Sequence, residues 1–330
     1  MGKEYFIPEY PQKISFGSIE GYCNLRCNKC YAFGPKNKKK DFYKGEMPLE
    51  KALSLFDELK GTDAVVASPG YAESLMQKDF CDYLKAMKER GLRVNINTNG
   101  LLVTAAYAKS FIDLEIDGIF VSIDAATADT LKKVRGTDEL EKIKTGVFAL
   151  LDARNSKLFP RIGVSFVVEE GNAHEREEFV DFWLQHVDTV RVAELFSHNV
   201  NVQDQVKSEN RKPCQMLYDS MLIHYNGDVP VCCWEPSGKT YLGNVFKDGI
   251  KGVWEGEKFK RVRYYHETDQ FDKVPFCKEC NDWARYVVPE ETTDGNILIR
   301  RSPLLVYYNR IDRLATWEFG QGQAVKGLMR

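Results

Sequence analysis

Gly21-Tyr22-Cys23-Asn24-Leu25-Arg26-Cys27-Asn28-Lys29-Cys30-Tyr31 places three cysteines at C-x3-C-x2-C, directly after an alternating, strand-like run. In so short a loop three thiolates can turn inward onto one metal cluster. A cubane of four irons held by three cysteines keeps one iron without a protein ligand. An open coordination position separates a catalytic metal centre from a closed structural one. A competing arrangement is a zinc site joining the Cys27/Cys30 pair to the distant Cys277/Cys280 pair, both C-x2-C; it leaves Cys23 idle.

Outward from this loop the pattern alternates strand and helix. Strand-like runs fall at 14–19, 64–68, 94–98, 118–124, 162–168 and 190–193. Helical spacing lies between them, as in Leu49, Ala52, Leu53, Phe56 and Leu59 after a Pro48 suited to the first helical position, and in Phe179, Phe182 and Trp183. Alternation of this kind predicts an α/β fold with a parallel sheet and helices outside. A closed eight-unit barrel would need two further repeats, and the sequence changes character after Phe196. The expectation is an open, partial (β/α)6 TIM-type barrel over 1–205, a small α+β domain over 206–284 and a C-terminal extension over 285–330.

Composition narrows the function. With 330 residues and 43% hydrophobic side chains the chain has material for one large domain and a smaller one. A net charge of -2 and a pI near 6.3 predict no nucleic-acid partner, and Lys38-Lys39-Lys40 reads as a solvated loop. No apolar run is long enough for a bilayer and Met1-Gly2-Lys3-Glu4 is no signal sequence, so the expectation is a cytoplasmic protein with no membrane partner. Nine cysteines in a reducing compartment suit metal ligation better than disulfides. Cys81, within the helical pattern of 79–90, reads as a small buried apolar residue.

After 212 the pattern becomes a hairpin, 217–225 and 229–233 flanking Asn226-Gly227, the dipeptide of a two-residue primed turn. Cys214, Cys232 or Cys233, Cys277 and Cys280 surround it, and four thiolates would close a second metal site. On a strand the neighbours Cys232 and Cys233 face opposite ways, so one ligates and the other points away. The spacing favours Cys232; Cys233 is then a buried filler or a free thiol able to return hydrogen to a substrate radical. The tail carries Tyr307, Tyr308, Trp317 and Phe319, and is expected to pack on the barrel as helices or to join in substrate binding.

The cysteine loop resembles the signature of the radical S-adenosylmethionine (radical SAM) enzymes, whose open iron is chelated by the amino and carboxylate groups of SAM, and whose shared architecture is the open six-unit barrel. The second group resembles the shortened SPASM domain called a twitch domain, which holds one auxiliary 4Fe-4S cluster. Cys232 lies eighteen residues after Cys214, and Cys277 forty-five after Cys232; this is similar to the 2-deoxy-scyllo-inosamine dehydrogenases of that group. A SPASM domain with two auxiliary clusters would need more cysteines. The resemblance covers about 13–283. It implies metal ligands Cys23, Cys27 and Cys30 in one site and Cys214, Cys232, Cys277 and Cys280 in the other.

Barrel chemistry collects at the C-terminal ends of strands. There Ser68-Pro69-Gly70-Tyr71-Ala72-Glu73 stands where the family carries a Gly-Gly-Glu run, which implies that Gly70 and Glu73 receive SAM's amino group. Asn97-Thr98-Asn99-Gly100 is a turn sequence whose side-chain amides, that of Asn97 among them, are also expected to face SAM. Ser122 and Arg135 match the serine and arginine that bind its ribose and carboxylate, a hydroxyl and a planar guanidinium suiting those partners. Against this, each could be an ordinary strand-end serine and surface arginine. Glu169, Glu170, Glu194 and His198 end where substrate enters, and Glu194 is the leading candidate for contact with it.

The chemistry implied is reductive cleavage of SAM to methionine and a 5′-deoxyadenosyl radical, with a flavodoxin- or ferredoxin-type electron donor. The radical removes hydrogen from an unactivated carbon of a small-molecule or peptide substrate. An alcohol carbon, as of a sugar or cyclitol, then loses a proton and passes an electron to the auxiliary cluster, leaving a ketone. Rival readings are an epimerase using a thiol such as Cys233, a peptide maturase, and a zinc-stabilised module without activity. The short stretch ahead of the first strand predicts no appended peptide-recognition domain.

Overall fold

The computed structural model describes residues 5–35, 44–68, 71–195, 211–235, 240–287 and 289–313. Six strands, β1 (Lys13–Phe16), β2 (Val65–Ala67), β3 (Arg93–Thr98), β4 (Gly118–Ser122), β5 (Arg161–Val168) and β6 (Thr189–Glu194), run side by side, each parallel to the next. Helices α1 (Leu49–Glu58), α2 (Phe80–Glu89), α3 (Ala105–Asp113), α4 (Ala128–Arg135), α5 (Leu140–Arg154) and α6 (Arg176–Leu184) occupy the connections. This is the expected α/β partial barrel. Pro48 caps α1 instead of occupying its first turn, its carbonyl accepting from Lys51 and Ala52.

Period-two alternation divides each strand between two environments. Ile14, Val66, Ile96, Ile119, Val164 and Val190 are at most 1% exposed and face the helices, each burial contributing about 1.5–3 kcal/mol. The opposite face, including Ser15, Ala67, Asn95, Asn97, Phe120 and Arg191, lines a central cavity of about 500 Å³. The lumen of the barrel thus mixes polar and apolar side chains and has room for a ligand.

Three local expectations are corrected. Residues 217–225 do not form one strand: α7 (Met216–Asp219) precedes β7 (Ser220–Ile223), which pairs parallel with β1. A hydrophobic run reads the same whether its partner is its neighbour or a strand two hundred residues away. The turn after it is also different. The His224 carbonyl accepts from Gly227 N–H at 2.8 Å and the His224 N–H donates to the Asp228 carbonyl at 2.9 Å. Of Asn226 and Gly227 only Gly227 has positive φ, at 84°, which makes a three-residue bulged loop in place of a two-residue primed turn. β8 (Asp228–Pro230) then pairs antiparallel with β9 (Tyr241–Asn244), ahead of α8 (Val245–Trp254) and α9 (Glu257–Glu267).

Gly227 allows a direct test. A Cβ there would lie 2.6 Å from the Phe246 ring, and left-handed φ adds about 1–2 kcal/mol for any L side chain. Gly227→Val is expected to lower the thermal midpoint by several degrees. An unchanged midpoint would contradict this account of the turn.

The tail supplies the third correction. β10 (Glu290–Asp294), β11 (Ile297–Ser302) and β12 (Leu305–Arg310) form an antiparallel meander, and β12 pairs antiparallel with β6. The sheet order is β10-β11-β12-β6-β5-β4-β3-β2-β1-β7. Both edges of the six-strand barrel are therefore covered by chain that follows it, which removes the open ladder groups that an edge strand presents. Cys81 lies on α2 as expected but is only partly buried.

Candidate metal centres

The three-cysteine loop leaves the C-terminal end of β1 and is held by backbone contacts with the loop after β2. Gly21 N–H donates to the Tyr71 carbonyl at 3.1 Å and Glu73 N–H to the Tyr22 carbonyl at 2.8 Å. Cys23 Sγ accepts from Leu25 N–H at 3.4 Å, and Cys30 Sγ from Phe33 N–H at 3.3 Å. Burial pushes Cys23 up to about 11, with Cys27 and Cys30 adding to it, and raises Cys27, with Cys30 adding to it. Arg135 and Lys29 only partly offset that burial at Cys27, and metal coordination is what deprotonates thiols so grouped. The donor set and its amide-to-sulfur bonds fit an iron-sulfur cluster.

A buried charge cluster fixes this loop to the barrel. Asp124, fully buried with φ of 65°, follows β4. Its Oδ2 accepts from Lys29 Nζ at 2.6 Å and from Arg135 Nε at 2.7 Å; its Oδ1 accepts from Val167 N–H at 2.7 Å. Burial pushes the Asp124 carboxyl up, and Arg135 and Lys29 beside it more than reverse that, holding it below the usual aspartate range. Lys29 belongs to the cysteine loop and Arg135 ends α4, so one carboxylate joins the two. Asn28 N–H adds a bond to the Val134 carbonyl at 3.0 Å. Arg135, expected at SAM's carboxylate, stands in the field of Cys27 and Cys23 with its Nε on Asp124.

Glu73, expected at SAM's amino group, is 2% exposed. Its Oε1 accepts from Thr98 Oγ1 at 2.7 Å and its Oε2 from Asn99 N–H at 2.7 Å. Asn99 Nδ2 in turn donates to Asn24 Oδ1 at 2.7 Å. The acid thereby links the ends of β2 and β3 to the cysteine loop, although desolvation raises its carboxyl pKa. Gly70 and His198 lie outside the described residues. Asn97 lines the lumen, its N–H donating to Ser68 Oγ at 2.8 Å. Ser122 accepts from the Ser165 hydroxyl at 3.2 Å. Glu194 ends β6 half-exposed, its carbonyl accepting from Arg285 Nη2 at 2.9 Å.

Cys214, Cys232, Cys277 and Cys280 share a second electrostatic neighbourhood. Burial pushes Cys277 up to about 12 and Cys280 up to about 11, the former also through Cys280. Amides again face sulfur: Trp234 N–H donates to Cys232 Sγ at 3.4 Å, and the amides of Met216 and Asp282 to Cys214 and Cys280. Cys214 N–H donates to His266 Nδ1 at 3.3 Å. Burial and Arg211 take that imidazole down to about 3, so it stays neutral. The donor set fits a fully ligated cluster. Residues 231–234 form a bend and turn beyond β8, not a strand: Cys232 lies in the field of Cys233, Cys277 and Cys280, and Cys233, which also feels Cys280, lines the central cavity. The Cys233 carbonyl accepts from Tyr71 Oη at 2.5 Å.

The zinc arrangement is not assembled. Cys27 has Arg135, Asp124, Lys29 and Cys30 as its charged neighbours, whereas Cys277 has Cys280, Arg211 and Glu235. Lys29 and Asp124 were visible as residues, but their pairing across ninety-five positions carries no local sequence signal. Among the described residues no helix is long and apolar enough to cross a membrane.

Comparison with known proteins agrees with this geometry. Residues 19–182 match the model of the radical SAM superfamily, and residues 214–281 that of the SPASM iron-sulfur cluster-binding domain. A tungsten-containing aldehyde ferredoxin oxidoreductase cofactor-modifying protein from Pyrococcus furiosus is 28% identical over 320 aligned residues, covering 82% of this chain and 87% of the relative. BtrN in complex with AdoMet and 2-DOIA superposes with TM-score 0.53 at 16% identity, over 86% of this chain and 96% of its own. Streptococcus suis SuiB bound to precursor peptide SuiA gives 0.62 at 15%, over 78% and 67%. anSMEcpe with bound AdoMet gives 0.62 at 14%, over 83% and 87%. Two family matches falling on the two cysteine groups, with this barrel between them, establish that the chain belongs to the radical SAM superfamily and carries a SPASM-type iron-sulfur domain.

Proposed function

We propose that the protein is a radical SAM oxidoreductase that oxidises an alcohol carbon of a small molecule, such as a sugar or cyclitol, by two electrons. The observation carrying this reading is the four-cysteine group of Cys214, Cys232, Cys277 and Cys280. Four thiolates saturate an auxiliary cluster and suit it to electron transfer rather than substrate binding. When bound, the first cluster and SAM supply a hydrogen-abstracting radical and the auxiliary cluster an electron acceptor.

The chain's own part is placement. Cys23, Cys27 and Cys30 would hold the first cluster, with Asp124 and Lys29 orienting their loop and Arg135 and Ser122 on the SAM side. Asn97, Glu73 through Thr98 and Asn99, and Gly70 would complete the SAM site. The lumen shields substrate from bulk water, with Glu194 at its rim. A flavodoxin- or ferredoxin-type protein would deliver electrons. The name of the Pyrococcus furiosus relative, a cofactor-modifying protein, favours a small-molecule substrate over a peptide.

The position of Cys233 on the cavity wall favours a second reading, epimerisation, in which its thiol returns hydrogen to the substrate carbon. Turnover in heavy water separates the two. The dehydrogenase reading expects a product two hydrogens lighter, no solvent deuterium on carbon, and most activity kept in Cys233→Ala. Solvent-derived deuterium on the product carbon, with Cys233→Ala inactive, would overturn it.

A further inference from the structure

The barrel lumen has a charge that the reaction class does not require. Its two acids are already engaged, Asp117 by Lys88 at 2.7 Å and Asp219 by Lys13 at 3.0 Å. Among its arginines, Arg285 pairs with Asp282 at 3.0 Å, Arg300 pairs with Glu291 at 2.8 Å, and Arg93 donates to the Asp63 backbone carbonyl. Arg191 differs. Among the described residues no carboxylate lies within ion-pair distance of it, and its guanidinium sits 5.0 Å above the centroid of the Phe120 ring, which also lines the cavity. A guanidinium held over a ring face by cation–π attraction keeps N–H donors for a planar or tetrahedral oxyanion. Arg161, on the same wall and 6% exposed, donates Nη2 to the neutral carbonyl of Asn309. Burial pulls its pKa down to about 9, against the opposing pull of Asp188.

We propose that the lumen binds a small substrate carrying an oxyanion, a phosphate or a carboxylate, with Arg191 on Phe120 as the residue that grips it. The inference rests on the oxidoreductase reading and adds the substrate's charge. A cationic aminocyclitol would meet like charge in this cavity, and a neutral sugar would leave the Arg191 edge without an anion. The volume of about 500 Å³ suits a small molecule.

The test is calorimetric titration of the cluster-loaded protein with SAM present, without reductant. The probes are myo-inositol monophosphate, citrate, myo-inositol and an aminocyclitol. The two anionic probes are expected to bind more tightly than the other two, and to weaken as salt is raised. Arg191→Gln is expected to lower their affinity about ten- to a hundredfold, the value of a charged hydrogen-bonded contact. Arg191→Lys, which keeps charge but loses the fork and the stacking, should fall between. Preference for phosphate over carboxylate, or the reverse, identifies which oxyanion the substrate bears. Failure of both anions to bind, tighter binding of the neutral or cationic probe, or equal anion affinity in wild type and a folded Arg191→Gln would overturn the proposal. An acidic peptide that binds while both small anions fail would also overturn it. The titration involves no turnover, so a protein that cleaves no SAM refutes the reaction class and leaves the binding result standing.

Discussion

Cys27→Ala is expected to abolish reductive cleavage of SAM, whereas Cys277→Ala keeps part of the cleavage and loses nearly all product. The three-thiol loop leaves a coordination position for SAM, and removing one thiol leaves too few ligands to hold that cluster. The second group has four thiols of its own and lies among Arg211, Glu235 and Asp282, away from the cysteine loop. Anaerobically reconstituted wild type is expected to bind about eight irons, four for each cluster. The measurements are iron and zinc content, absorbance, and 5′-deoxyadenosine released with and without substrate. Stoichiometric zinc would contradict the assignment. Equal loss of cleavage in the two variants would contradict separate roles, provided that Cys277→Ala remains folded, because metal binding is also folding energy.

Asp124→Ala is expected to be the most damaging substitution outside the cysteines. It leaves Arg135, 8% exposed, and Lys29, 11% exposed, without their shared carboxylate. Breaking a buried ion pair by removing one partner costs about 3–5 kcal/mol. The loss should appear as a lower thermal midpoint and as poor iron loading at the first site, since Lys29 lies between Cys27 and Cys30. Asp124→Asn keeps the shape and the bond from Val167 N–H, so it should fall between. Because the carboxyl is held below its ordinary value, the stabilisation is complete above that value and fades only as pH falls through the lower folded one. At pH 5 the clamp should therefore be intact. A midpoint unchanged in Asp124→Ala would refute the role.

The six barrel strands were legible because each carries its own period-two record: Ile14, Val66, Val94, Ile119, Ile162 and Val190 alternate with residues of the lumen whatever the rest of the chain does. The cysteine loop was legible for the same reason, since its three ligands lie within eight residues. The residues around SAM were less so. Glu73 and Arg135 could be picked out, but not that Glu73 is committed to Thr98 and Asn99, or Arg135 to Asp124. A hydrogen bond is set by where two loops meet, and a linear sequence does not record that.

The sequence alone determined the class of chemistry, because ligand type and short spacing already restrict which metal group fits, and local periodicity already restricts the barrel. Tertiary structure decided the rest: the parallel pairing of β7 with β1, the meander on β6, the place of Cys233 on the cavity wall, and the meeting of Arg191 with Phe120 in the lumen. Each depends on contacts between segments far apart in the chain, whose free energy comes from burial and charge pairing realised only when the chain closes on itself.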